Sequence, residues 1–112
     1  MIRIEDEGGM RVVTLDRPDK ANALTKAMLT ALAEAAEGAQ DARAFVLTGA
    51  GRAFSAGMDL EAAAAGLATD PVWERLSGAI AALPCLTVAA LNGTVAGGAI
   101  GMALACDLRV AV

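Results

Sequence analysis

Two short turns constrain this chain more than anything else in it: Phe54-Ser55-Ala56-Gly57-Met58-Asp59-Leu60 and Asn92-Gly93-Thr94-Val95-Ala96-Gly97-Gly98. Each follows a strand-like run, and each has a helix-compatible segment close behind it. Glycine lets the backbone bend tightly and lets another group approach it closely. A helix start leaves backbone N–H groups without partners. Two such turns brought together aim two N–H groups at one oxygen. That is the geometry of an oxyanion hole, which stabilises the charge that develops in acyl or enolate chemistry.

Composition removes several alternatives. With 112 residues the chain is long enough for one domain with its own core. Its apolar residues are mostly Ala, Val and Leu, and only 3% of the chain is aromatic, so close backbone approach rather than large rings must fill the core. The net charge is −4 and there is no Lys/Arg cluster, which argues against nucleic acid as a partner. There is no histidine. That excludes a His general base, a Ser-His-Asp triad and most zinc sites, and no metal is expected. Cys85 and Cys106 stand in apolar surroundings and read as buried, reduced thiols. Met1–Glu7 lacks the apolar stretch of a secretory leader, so a cytoplasmic location is expected. Asn92-Gly93-Thr94 is therefore read as a turn rather than a glycosylation acceptor.

Along the chain, strands and helices alternate. Ile2–Glu5 and Met10–Leu15 read as a hairpin around Gly8-Gly9. Leu24, Met28, Leu32, Ala35 and Ala39 recur at helical spacing, with Thr25 as a cap. Residues 44–48 form a short apolar strand, and residues 61–65 are helix-compatible until Gly66. Asp70 caps a helix with Pro71 at its first position; Val72, Leu76, Ile80 and Leu83 are its buried stripe, and Pro84 stops it. Leu86–Leu91 is a third apolar strand, Gly98–Ala105 a short helix, and Leu108–Val112 a last strand. Continuous apolar strands separated by helices predict an α/β fold with largely parallel pairing, both faces covered. Strands around Val13, Val46, Val88 and Leu108 belong to one sheet, with Leu32 and Leu76 packed on it.

Two rival readings fail on detail. No charge occurs between Leu76 and Cys106, and Gly97-Gly98-Ala99-Ile100-Gly101 is a small-xxx-small pattern of the kind membrane helices use. Pro84 and the Asn92-Gly93 turn nevertheless divide the stretch, and neither part supplies the roughly 20 residues a bilayer needs, so no membrane is expected. Gly49-Ala50-Gly51 lacks the third glycine of a dinucleotide fingerprint, because Phe54 stands there, and residues 93–98 lack the Lys-Ser/Thr end of a P-loop.

The residues carry a family resemblance. Leu15-Asp16-Arg17-Pro18 followed by Asn22-Ala23-Leu24, then Ala53-Phe54-Ser55-Ala56-Gly57-Met58-Asp59-Leu60, then Asn92-Gly93 through Gly97-Gly98 to Ala105-Cys106-Asp107 resemble the crotonase (enoyl-CoA hydratase/isomerase) family, in its order and spacing over nearly the whole chain. The resemblance implies a crotonase-like spiral of ββα units, of which residues 1–112 are the N-terminal part. It implies acyl-CoA thioester substrates, as in fatty acid metabolism, with coenzyme A as part of the substrate and no separate cofactor. It also implies trimers, often paired into hexamers, or a complex with a chain supplying the C-terminal half.

Roles follow from the same resemblance. The N–H groups of Ala56 and Gly98 look like the two oxyanion donors for the thioester carbonyl, aided by the positive end of the helix that Gly98 opens. The stretch Ala56, Gly57, Met58, Asp59, Leu60 and the pair Gly97, Gly98 resemble substrate-binding backbone. Lys20 and Ala21 resemble the loop near the CoA head group. Asp59 and Asp107 read as structural carboxylates, Glu61 as a solvated helix residue and Met58 as an apolar pocket residue. Hydratases of the family carry a Glu three residues after the second oxyanion glycine; here that position is Gly101. The family's second carboxylate falls beyond Val112. An isomerase-like acyl-CoA enzyme is therefore expected, with a non-catalytic crotonase-like CoA-binding or assembly module as the alternative.

Overall fold

A strand–strand–helix unit recurs along the chain, as seen in a computed structural model that describes residues 1–111. The first unit is β1 (Ile2–Glu7), β2 (Met10–Leu15) and α1 (Lys26–Glu37). The second is β3 (Ala44–Gly49) and β4 (Ala53–Ser55), followed by α2 (Leu60–Ala64) and α3 (Val72–Ala81). The third is β5 (Leu86–Leu91), β6 (Thr94–Val95) and α4 (Gly98–Leu104), and β7 (Leu108–Ala111) follows. Single 3₁₀ turns lie at Pro18–Lys20 and Leu67–Thr69.

Five strands make one sheet in the order β1-β2-β3-β5-β7. β1 returns antiparallel on β2, and every other pair is parallel. The register sets Val12 opposite Val46, Val46 opposite Val88 and Val88 opposite Leu108. The expected sheet is thus found. Its inner face contributes Val13, Leu15, Phe45, Leu47 and Ala89 to a buried cluster. Leu29 and Leu32 of α1 and Leu76 and Ile80 of α3 belong to the same cluster. No helical hairpin spans Leu76–Cys106, and no helix among the described residues is long and apolar enough to cross a membrane.

Capping follows local chemistry. Thr25 is the N-cap of α1, and its side chain accepts from Met28 N–H at 3.2 Å. Leu24 and Ala39 flank that helix rather than lie within it, yet both are buried. Asp70 does cap α3, accepting from Val72 N–H at 2.8 Å, but Pro71 occupies the flanking position and the helix begins at Val72. A one-residue shift of this kind is common at helix ends. Of the expected last strand, Val112 lies outside the described residues.

The larger departure is a second sheet. β4 and β6 pair parallel to each other, with Ala53 opposite Thr94 and Ser55 opposite Val95. At three and two residues they are too short to show any periodicity, and from sequence alone both read as parts of turns. At the far edge of the main sheet β7 is exposed along its whole length; Leu108 and Val110 are open there, as are Ile100 and Leu104 of α4.

Candidate functional site: two turns in contact

The small sheet brings the two glycine turns together. Because β4 and β6 run parallel, the chain leaves both at the same end. Ala96 N–H donates to the Ser55 carbonyl at 3.0 Å, which extends the pairing into the turns. Gly57 has φ +101° and Gly97 φ +57°, a region that side chains rarely adopt. A Cβ on Gly57 would lie 3.1 Å from the Ala96 oxygen and 3.5 Å from Gly97 Cα. Glycine is required there both for the bend and for the contact between the turns.

The hydrogen bonds decide which N–H groups remain free. Ala56 N–H donates to the Ala21 carbonyl at 2.9 Å, so the group expected to serve as the first oxyanion donor is already engaged. The cause is local: Ala21 and Asn22 have φ +50° and +56° and offer both carbonyls to this segment, Ala21 to Ala56 N–H and Asn22 to Ser55 Oγ at 2.8 Å. Gly57 N–H donates to Ser55 Oγ at 3.1 Å. Leu24 N–H donates to the Gly57 carbonyl and Asp59 N–H to the Leu24 carbonyl, at 2.8 and 2.9 Å. In such a parallel bridge the intervening N–H, that of Met58, faces away from Leu24. Met58 N–H and, at the start of α2, Leu60 N–H have no acceptor among the described residues, and neither have Gly97 N–H and Gly98 N–H at the start of α4.

Several side chains fix the first turn. Asn22 is fully buried; its Oδ1 accepts from Arg17 N–H at 2.8 Å and its Nδ2 donates to the Ala50 and Ala53 carbonyls. Asp59 accepts from Arg17 Nη1 at 2.9 Å and, as N-cap of α2, from Ala62 N–H at 3.0 Å. The Ala62 N–H and the Arg17 guanidinium hold the Asp59 carboxyl below its ordinary value. Asp59 thus caps α2 and ties it to Arg17.

An open cleft of about 640 Å³ borders this turn, lined by Arg17, Lys20, Ala23, Ala56, Met58, Asp59, Leu60 and Glu61. It unites Lys20 with Ala56, Met58, Asp59 and Leu60. Ala21, Gly57, Gly97 and Gly98 are not among its lining residues, although Gly97 Cα would lie 3.5 Å from a Cβ on Gly57. Lys20 makes no ion pair among the described residues.

Other candidates are accounted for structurally. Thr87 N–H donates to Asp107 Oδ2 at 3.0 Å while Asp107 N–H donates to Thr87 Oγ1 at 2.8 Å, which pins β7 beside β5. Burial, and then the Asp107 charge, push the Cys106 thiol up to about 11, so it is an inert core thiol. Cys85 is half-buried, and both cysteines are free. Gly101 is exposed, and a Cβ there would meet nothing within 4 Å. No group of three or more metal-ligating side chains occurs among the described residues. The sequence reading missed Trp73: a Cβ on Gly98 would lie 2.5 Å from Trp73 Cη2 and 2.7 Å from Cζ3. Its spacing in α3 marks it only as a partly buried residue.

The architecture and paired turns define a class, and comparison with known proteins names it. The enoyl-CoA hydratase/isomerase family model matches residues 5–112. A probable enoyl-CoA hydratase of Rhodobacter capsulatus is 47% identical over 118 residues, covering 98% of this chain and 45% of that protein. A probable enoyl-CoA hydratase of Mycobacterium tuberculosis is 43% identical, covering 89% of this chain and 42% of its own length. The crystal structure of an enoyl-CoA hydratase from Mycobacterium avium subsp. paratuberculosis superposes with a TM-score of 0.90 at 35% identity, over 98% of this chain and 46% of that one. The chain belongs to the enoyl-CoA hydratase/isomerase family and has the crotonase fold. It spans about half the length of the curated relatives it matches.

Proposed function

We propose that residues 1–112 carry the thioester-binding half of an acyl-CoA enzyme that works through an enolate. The observation that carries this reading is the contact between the two turns, which hold N–H groups without an acceptor among the described residues, and of these we assign the donor roles to Met58 and Gly98. Met58 takes the donor role first given to Ala56. A thioester oxygen gains negative charge when a proton leaves the α-carbon, and two fixed donors stabilise the enolate more than the ground state. Lys20 meets the anionic end of CoA at the cleft.

The acid/base residue comes from outside residues 1–112, on continuing chain or a second polypeptide seated on the apolar face of α4 and β7, in a trimeric or hexameric assembly. The chemistry is isomerase-like. One carboxylate takes the proton from C2 of a 3-enoyl thioester, and the electron pair moves onto the thioester oxygen. The carboxylic acid so formed, which exchanges its proton with water, delivers a proton at C4 as the electron pair returns, to give the 2-enoyl product. Hydration needs a second acid/base group, and Gly101 has no side chain to provide it. The test is performed on the complete enzyme. Exchange of the α-proton into deuterated water is measured beside hydration of a short 2-enoyl-CoA. Exchange with little hydration is expected. Fast hydration defeats the isomerase assignment, and absence of both, with CoA still bound, favours the non-catalytic module.

A further inference from the structure

The indole of Trp73 lies with its benzo edge against Gly98: Cη2, Cζ3 and Cζ2 would stand 2.5, 2.7 and 3.1 Å from a Cβ at that position. The ring is held from its other end. Trp73 Nε1 donates to the Leu67 carbonyl at 2.8 Å, in the 3₁₀ turn that precedes α3. Leu67 is itself buried, so the anchor is fixed. Trp73 is only half-buried, although it packs against the core cluster. A large ring is thus pinned at its polar tip, wedged at its apolar edge against Gly98, whose N–H has no acceptor among the described residues, and left partly open.

Resting on the reading of Met58 and Gly98 as the thioester donors, we infer that Trp73 is the wall of the acyl pocket and sets which acyl groups enter. An oxygen held about 2.9 Å from Gly98 N brings the carbons next to its carbonyl beside the ring. A hydrogen-bonded indole does not swing aside as a free aliphatic chain does. It therefore stops a long or branched acyl chain, while its face stacks on a flat, conjugated one. The substrates implied are short, planar acyl thioesters, such as a four-carbon enoyl group. Trp73 touches the acyl group and performs no proton transfer; it is a specificity determinant.

The chain offers its own reporter, since Trp73 is the sole tryptophan and there is no tyrosine. The fluorescence of Trp73, taken as the difference between the complete protein and its W73F variant, is titrated with free CoA, crotonyl-CoA and dodecanoyl-CoA, and the same ligands are titrated by calorimetry against wild type, W73F and W73A. Crotonyl-CoA should alter the emission where free CoA does not. Wild type should prefer crotonyl- to dodecanoyl-CoA; W73A should shift that ratio at least tenfold toward the long chain, W73F by less, and free CoA should bind all three alike. An unchanged emission with crotonyl-CoA bound, or an unchanged ratio in a folded W73A or W73F, overturns the inference while leaving the thioester site standing. Failure of any CoA thioester to bind wild type removes the site itself, and the inference with it.

Discussion

The side-chain amides of Asn22 and Asn92 donate to one and the same oxygen, the carbonyl of Ala53, at 2.9 and 3.0 Å. Asn22 comes from the loop before α1 and Asn92 from the loop after β5, so Ala53, at the start of β4, is gripped from both sides. Each amide has further work. Asn92 Oδ1 accepts from Gly49 N–H at 3.0 Å, and its Nδ2 also donates to the Gly51 carbonyl. These bonds hold the strand that delivers the first turn to the second.

Replacing Asn22 strands the Arg17 N–H and the Ala50 carbonyl and forces alanine into a positive φ. N22A should lose about 3 kcal/mol of stability. N92A, at a half-buried position, should lose about 1–2 kcal/mol. Because they share an acceptor, the double variant should differ from the sum by about 0.5 kcal/mol or more. Urea unfolding of the four proteins measures all three quantities. Strict additivity would show that Ala53 does not link the two loops.

Gly98 has no room for a side chain. In G98A the new methyl meets the Trp73 ring, so ring and turn must part, at an overpacking cost of about 1–3 kcal/mol. Moving the Gly98 N–H from its place should also slow enolate formation in the complete enzyme by about 10²-fold. Adding W73L should restore stability without restoring exchange to the wild-type rate. Recovery of both would assign the whole defect to crowding.

How far these features could be read beforehand depended on their reach along the chain. The hairpin at Gly8-Gly9, the caps Thr25 and Asp70, and the run Leu86–Leu91 depend on neighbours a few residues away, and all were legible. β4 and β6 were not, because each is a strand only through the other, some forty residues distant. The same range limits the site. Both turns could be located by their glycines, yet the choice between Ala56 and Met58 rests on the Ala21 carbonyl and on the Leu24 bridge, which only the folded loop creates. The approach of Trp73 to Gly98 spans 25 positions, and no periodicity records it.

Asp59 gives the first turn a pH dependence with a definite sign. The Ala62 N–H and Arg17 hold its carboxyl below the ordinary 3.8. A depressed folded value means that the ionised group stabilises the fold above the ordinary value, and that this contribution is lost as pH falls through the folded value. The stability difference between wild type and D59A should therefore be constant near neutrality and shrink below about pH 4. D59N, which can still accept from Ala62 N–H, should lose less than D59A. Denaturant unfolding from pH 2 to 7 checks both. A difference that grows toward acid would put Asp59 in a different role.

Gly101 offers the sharpest test of the chemistry. It lies three residues after Gly98 in α4, one turn along the same face. A Cβ there meets no atom within 4 Å, so a glutamate enters without displacing anything. In a helix interior the change should even stabilise by a few tenths of a kcal/mol up to about 1. On the proposed reading, G101E supplies the second acid/base group that hydration requires, and a positioned group of this kind contributes about 10²–10⁴-fold. In the complete enzyme, G101E should raise hydration of a short 2-enoyl-CoA by about 10²-fold over wild type. G101Q should match its stability and leave hydration at the wild-type level. Equal hydration by G101E and G101Q would mean that no proton is moved from this position. The oxyanion donors would then face some other part of the pocket.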